Sequence, residues 1–184
     1  MLAMSRELPM PNVSRIYSLS QAHATLLHCR NRLISFAQEC VDPKADEAYI
    51  GDERRQYQKW LERWEQAFTE YLSATMMSMA TEDLTQSRVL KANHLACTVV
   101  ASDAKPDGSN CEGFDTEFQA IVELAGAVLQ SRQRPNSPQS ATSSESSATS
   151  QGLDVRDPLY VVTARCNKHT IRHRANELLL RCCG

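Results

Sequence analysis

The chain has 184 residues, of which 42% are hydrophobic and 23% charged, and its formal net charge is −2. That length holds one domain with a real core, and a slightly acidic chain argues against a free-standing nucleic-acid binder, which needs a basic face. No run approaches the ~20 apolar residues of a membrane span, and the N-terminal stretch lacks the apolar segment of a secretory signal. The expected compartment is cytosolic or nuclear.

Residues 1–17 contain Pro9 and Pro11 and read as an extended N-terminal arm. Ser18-Leu19-Ser20-Gln21 has the form of a capping box, a Ser cap with Gln three residues on. The helix that follows carries an inner stripe of Ala22, Leu26, Cys29, Leu33, Phe36 and Cys40, and Asp42-Pro43 ends it. Asp52, just after Gly51, reads as the cap of a second helix. Tyr57, Trp60, Leu61, Trp64, Phe68, Tyr71 and Leu72 recur along it at three- and four-residue intervals, one face of a 3.6-period helix. Both tryptophans lie there, so the rest of the chain is expected to organise around this helix. Its aromatic arc is wider than one neighbour would cover.

Thr81 opens a third helix, with Glu82 and Asp83 favourable in its first turn and Leu84, Val89, Leu90, Leu95, Val99 and Val100 as apolar positions. His94 lies beside them and reads as a hydrogen-bonded histidine at the core edge rather than a ligand. A turn-rich loop follows Ser102, and Asp115 or Thr116 caps a helix bearing Phe118, Ile121, Val122, Ala125, Val128 and Leu129. Residues 132–152 have no large apolar side chain and predict a disordered Ser-rich linker. Ser137-Pro138 within it fits a proline-directed phosphorylation site. Residues 153–184 then form a C-terminal helical segment expected to pack on the domain of residues 18–131. One short helix starts at Pro158 and another spans Thr170 to Leu180. The fold class is therefore all-α, an irregular bundle of about six helices.

The last segment, DPLYVVTARCNKHTIRHRANELL, resembles the C-terminal part of the fungal-specific regulatory domain of zinc binuclear-cluster (six-cysteine) transcription factors. Pro158, Leu159, Tyr160, Cys166, Ile171, Arg172, Arg174, Ala175, Leu178 and Leu179 carry the likeness. Asn167, Lys168 and His169 depart from the Arg-Asp-Pro-like turn of that family. Ser18 to Ala22 with Leu26, and Phe114-Asp115-Thr116-Glu117-Phe118, resemble earlier pieces of the same domain, in the same order. No six-cysteine cluster is present. The resemblance implies transcriptional regulation in a fungal nucleus, often of a biosynthetic gene cluster of secondary metabolism, by a fragment, a truncated paralogue or a short gene product without the DNA-binding module. The alternative expectation is a helical protein-interaction module with no direct transcription role.

Other chemistry is sparse. Seven cysteines are scattered without C-x-x-C spacing, as reduced thiols would be. Cys166, His169 and His173 have the spacing C-x2-H-x3-H and would suit zinc on one continuous helix, but a break near Asn167 and the lack of a fourth ligand count against it. Lys168, Arg172, Arg174 and Arg181 with His173 form a basic patch, most simply a solvated helix face. No phosphate loop, nucleophile elbow or H-E-x-x-H motif occurs. The expectation is a non-enzyme with no catalytic, cofactor or metal residues, no membrane contact and no specific DNA binding by this chain alone. Leu178, Leu179 and Leu180 cannot all point inward on one helix, so self-association or a protein partner is expected near Leu178–Cys183.

Overall fold

The computed structural model describes residues 10–102, 112–133 and 152–183. Ser18 opens α1 (Leu19–Glu39): its Oγ accepts from the Gln21 amide at 3.1 Å, and Gln21 Oε1 reaches back to the Tyr17 amide at 2.7 Å. The reciprocal bonds satisfy donors that a helix start leaves open. Helix α2 (Glu47–Thr75) begins earlier than the sequence suggests. Asp46, not Asp52, is its cap and accepts from the Ala48 amide at 3.0 Å. Gly51 lies inside the helix, where glycine costs only about 1 kcal/mol relative to alanine, and Asp52 instead pairs with Arg55. A 3-10 turn, Met76–Ser78, leads to α3 (Thr81–Ala101). A second 3-10 turn, Glu112–Phe114, leads to α4 (Asp115–Gln133), in which Asp115 is the first helical residue. The chain ends in α5 (Arg156–Arg165) and α6 (His169–Cys182). Every regular element among the described residues is helical, six α-helices and two 3-10 turns. Most of the expected Ser-rich linker, including Ser137-Pro138, lies outside the described residues, as does Cys111.

The centre of the bundle is α3, not the tryptophan-bearing α2. It packs against α1, α2, α4 and α5, and Val89, Leu90, Ala92, Asn93, His94, Ala96, Cys97, Val99 and Ala101 are all buried along it. Small side chains at Ala92, Ala96 and Ala101 let neighbours approach from several sides, as expected of a helix buried all round. α2 runs antiparallel to it: Gln58 Nε2 donates to the Ala101 carbonyl at 3.0 Å near one end, and Lys91 pairs with Glu65 near the other. Helices α5 and α6 pack on each other and on α4, with α5 also against α3.

The wide aromatic arc of α2 is covered from within the chain. Phe36 of α1 meets Tyr57 with ring centroids 5.4 Å apart. Trp64, fully buried, stacks on Phe68 at 4.7 Å and His94 at 5.3 Å, and its indole N–H donates to Thr25 of α1 at 3.1 Å. The residues from Met10 to Tyr17 supply the third cover: Val13 and Ile16 are buried, and Trp60 Nε1 donates to the Pro11 carbonyl at 2.9 Å. The arc is thus covered by more than one neighbour, as its width in the sequence requires. Residues 10–17 form a packed strap, because Val13 and Ile16 bury there and the Pro11 carbonyl meets the acceptor need of the Trp60 ring.

Candidate functional site

The residues of the C-terminal resemblance divide cleanly between inside and outside. Pro158, Leu159, Cys166, Ile171, Ala175, Leu178 and Leu179 are buried, while Tyr160, Arg172 and Arg174 face solvent. Of the three successive leucines, Leu178 and Leu179 point inward and Leu180 is 76% exposed. Leu180 shares the outer surface of α6 with Arg172, His173, Arg174 and Arg181. Arg174 bonds Glu177 at 3.1 Å and, with the neighbouring His173 and Arg181 charges, holds that carboxyl below its usual range despite some desolvation. Lys168 bonds Asp115 at 2.9 Å, which raises the lysine above its usual value and pins the α5–α6 turn to α4.

Cys166, His169 and His173 do not converge. Cys166 ends α5 in an extended conformation, and its buried thiol faces the Lys168 carbonyl at 3.8 Å. His169 and His173 sit one turn apart on exposed α6, rings parallel at 6.0 Å. Among the described residues no group of three or more His, Cys, Asp or Glu side chains is placed to hold a metal. The core thiols of Cys97 and Cys29 are poor nucleophiles as well: burial pushes Cys97 up to about 12, and burial with the nearby Cys97 raises Cys29 further.

A second polar site lies in the groove between α2 and α3. Gln58, Leu61, Glu62 and Glu65 supply one wall at helical spacing, His94, Thr98 and Ser102 the other, and Phe114 closes one side. The cavity measures about 230 Å³. His94 is 2% exposed, and its Nε2 lies 2.9 Å from the Leu61 carbonyl oxygen. A carbonyl only accepts, so Nε2 carries the proton and Nδ1 carries a lone pair. That Nδ1 is buried without a hydrogen-bond partner. Burial depresses the imidazole to about 4, against the opposing pull of the Leu61 carbonyl and Glu65, so the ring is neutral at pH 7. Burial raises the Glu65 carboxyl, but its hydrogen bond to Lys91, with the nearby imidazole and ammonium, outweighs that and holds it below the usual range.

His94 is therefore a core residue whose Nδ1 lone pair is buried without a partner. The sequence shows an apolar helical face around it but gives no sign of the groove, because the groove depends on the antiparallel setting of two helices. Comparison with protein-family models, curated proteins and solved structures finds no match to the chain.

Proposed function

We propose that the chain is a regulatory, non-DNA-binding module of the kind found in fungal zinc binuclear-cluster transcription factors, working in the nucleus through a protein partner. The observation that carries this reading is the outer face of α6, where exposed Leu180 sits among Arg172, His173, Arg174 and Arg181. An exposed apolar side chain on a helix face that carries three arginines, one of them paired with Glu177, suits a partner surface with an apolar pocket and an acidic rim. The ordered motifs from Ser18 to Leu179 support the transcriptional context. These 184 residues contain no six-cysteine cluster to read bases, and their net charge of −2 gives no electrostatic drive toward DNA. Purified chain is expected to give no sequence-dependent gel shift at physiological salt.

The test is a reporter assay in a fungal host with the chain fused to a heterologous DNA-binding domain. Tethered chain is expected to change reporter output, and Leu180→Glu with Arg172→Glu is expected to abolish the change. The second reading, an interaction module outside transcription, draws on the same α6 face, whose chemistry is not peculiar to transcription. A silent reporter together with self-association in light scattering, lost in the double variant, would select it.

A further inference from the structure

We propose that Ser14, on the strap of residues 10–17, is a phosphorylation site whose phosphate is received by Lys59 and Arg63 of α2. The acceptor comes first. Residues 10–17 form no regular element, and Ser14 is exposed at a bend between buried Val13 and Ile16. Asn12 Oδ1 accepts from the Ser14 amide at 3.0 Å, which sets the bend. The Ser14 Oγ makes no hydrogen bond among the described residues, so no other group in them competes for the hydroxyl.

The receiving surface is the second observation. Gln56, Lys59, Trp60 and Arg63 follow one another at three- and four-residue steps on α2, so they share one face. With the strap from Met10 to Ser14 they line an open cavity of about 640 Å³. Among the described residues neither Lys59 nor Arg63 forms an ion pair. No carboxylate lines this cavity, and Glu62, between the two cations in sequence, lines the groove toward α3 instead. Two cations without a counter-ion across a cavity from a hydroxyl do nothing for an unmodified serine. A phosphoserine carries close to two negative charges at pH 7 and three strong acceptor oxygens. The Lys59 ammonium, the Arg63 guanidinium and the Gln56 amide supply donors for them.

The strap's attachment is the third. Residues 10–14 are held by burial of Val13 and by the bond from Trp60 Nε1 to the Pro11 carbonyl. So short a set of ties lets the segment lift locally and present Ser14 to a protein kinase. A nucleoside triphosphate is the co-reactant. The Oγ–phosphorus bond forms, the bond from the terminal phosphorus to its bridging oxygen breaks, the diphosphate leaves, and the hydroxyl proton passes to the kinase's base. When the strap reseats, the phosphate adds charge-assisted bonds to α2 and locks the strap over Trp60.

The full chain tests this in two preparations. Chain expressed in a fungal host with phosphatases inhibited is mapped by mass spectrometry, and phosphate is expected on Ser14. Chain with genetically encoded phosphoserine at that position is compared with unmodified chain. Its melting temperature is expected to rise by about 2–4 °C, less at high salt. In ³¹P NMR its second ionisation is expected below the ordinary value of about 6, because nearby cations favour the dianion. Lys59→Gln with Arg63→Gln, both at exposed positions, is expected to keep the fold by circular dichroism and to cancel both effects. Absence of phosphate on Ser14 in the host, a melting temperature unchanged or lowered by the phosphoserine, or a ³¹P midpoint indifferent to the double variant would each overturn the proposal.

Discussion

Two of the stacked ring pairs, one on α6 and one between α2 and α3, sit in settings that differ in nearly everything but geometry. On α6, His169 and His173 lie parallel at 6.0 Å in open solvent. In the α2–α3 seam, His94 lies on Trp64 at 5.3 Å with both residues buried. The exposed pair is held by its own helix and competes with water for every polar contact. In the seam, each ring touches another element: Trp64 bonds Thr25 of α1, and His94 bonds the Leu61 carbonyl of α2. Stacking alone therefore confers little; burial makes the ring a structural tie and fixes where its proton sits.

Removing the seam's largest member tests that contrast most severely. Trp64→Ala deletes a fully buried indole and is expected to destabilise by about 3–5 kcal/mol, from lost burial and the cavity left behind. Urea denaturation followed by circular dichroism would read it, and a loss under about 1 kcal/mol would place the core elsewhere.

Acidification probes the same seam without a mutation. The unfolded chain protonates this imidazole near its ordinary 6.5, the folded chain only near 4. Between those values the unfolded state binds more protons, so stability is intact above about pH 6.5 and falls as pH drops toward 4. From pH 6.5 to 5 the expected loss is about 2 kcal/mol, at roughly 1.4 kcal/mol per unit. Urea midpoints across that range should show it, and His94→Gln should flatten the slope.

The strap of residues 10–17 gives a smaller effect. Trp60→Phe keeps most of the apolar burial but removes the N–H that meets the Pro11 carbonyl, for an expected cost of about 1 kcal/mol. Smallest of all is the outer face of α6. Leu180→Lys changes a side chain that is 76% exposed, and its effect on stability should stay within about 0.5 kcal/mol.

The sequence exposes this fold unevenly, and the reasons are physical. The starts of α1 and α3 were readable because Ser18 with Gln21 and Thr81 with Glu82 and Asp83 are local signals. The start of α2 was misplaced because Gly51-Asp52 imitates a helix start, while the true cap at Asp46 lies in a connector with no strong pattern. The central place of α3 was hidden by its composition: alanines carry little hydrophobic weight in a periodicity, yet they permit contact on every side. The strap was missed because two prolines suggest a bare arm, and only the folded chain shows Val13 and Ile16 buried beside Trp60. For the groove the missing information was largely backbone. The Leu61 carbonyl that fixes the His94 tautomer leaves no trace in residue type, and Glu62 and Glu65 read as ordinary surface acids. Cys166, His169 and His173 show the reverse, a suggestive spacing that the extended turn at Cys166 pulls apart.

The most direct test of the account is the protonation state of His94 itself, since the buried α2–α3 seam depends on the ring staying neutral. Side-chain ¹⁵N and ¹H NMR of the folded chain across pH 3.5 to 8 would report both midpoint and tautomer. The expected result is a ring that stays neutral to near pH 4, with the proton on Nε2 throughout. A midpoint near 6.5, or a proton on Nδ1, would contradict the seam as described.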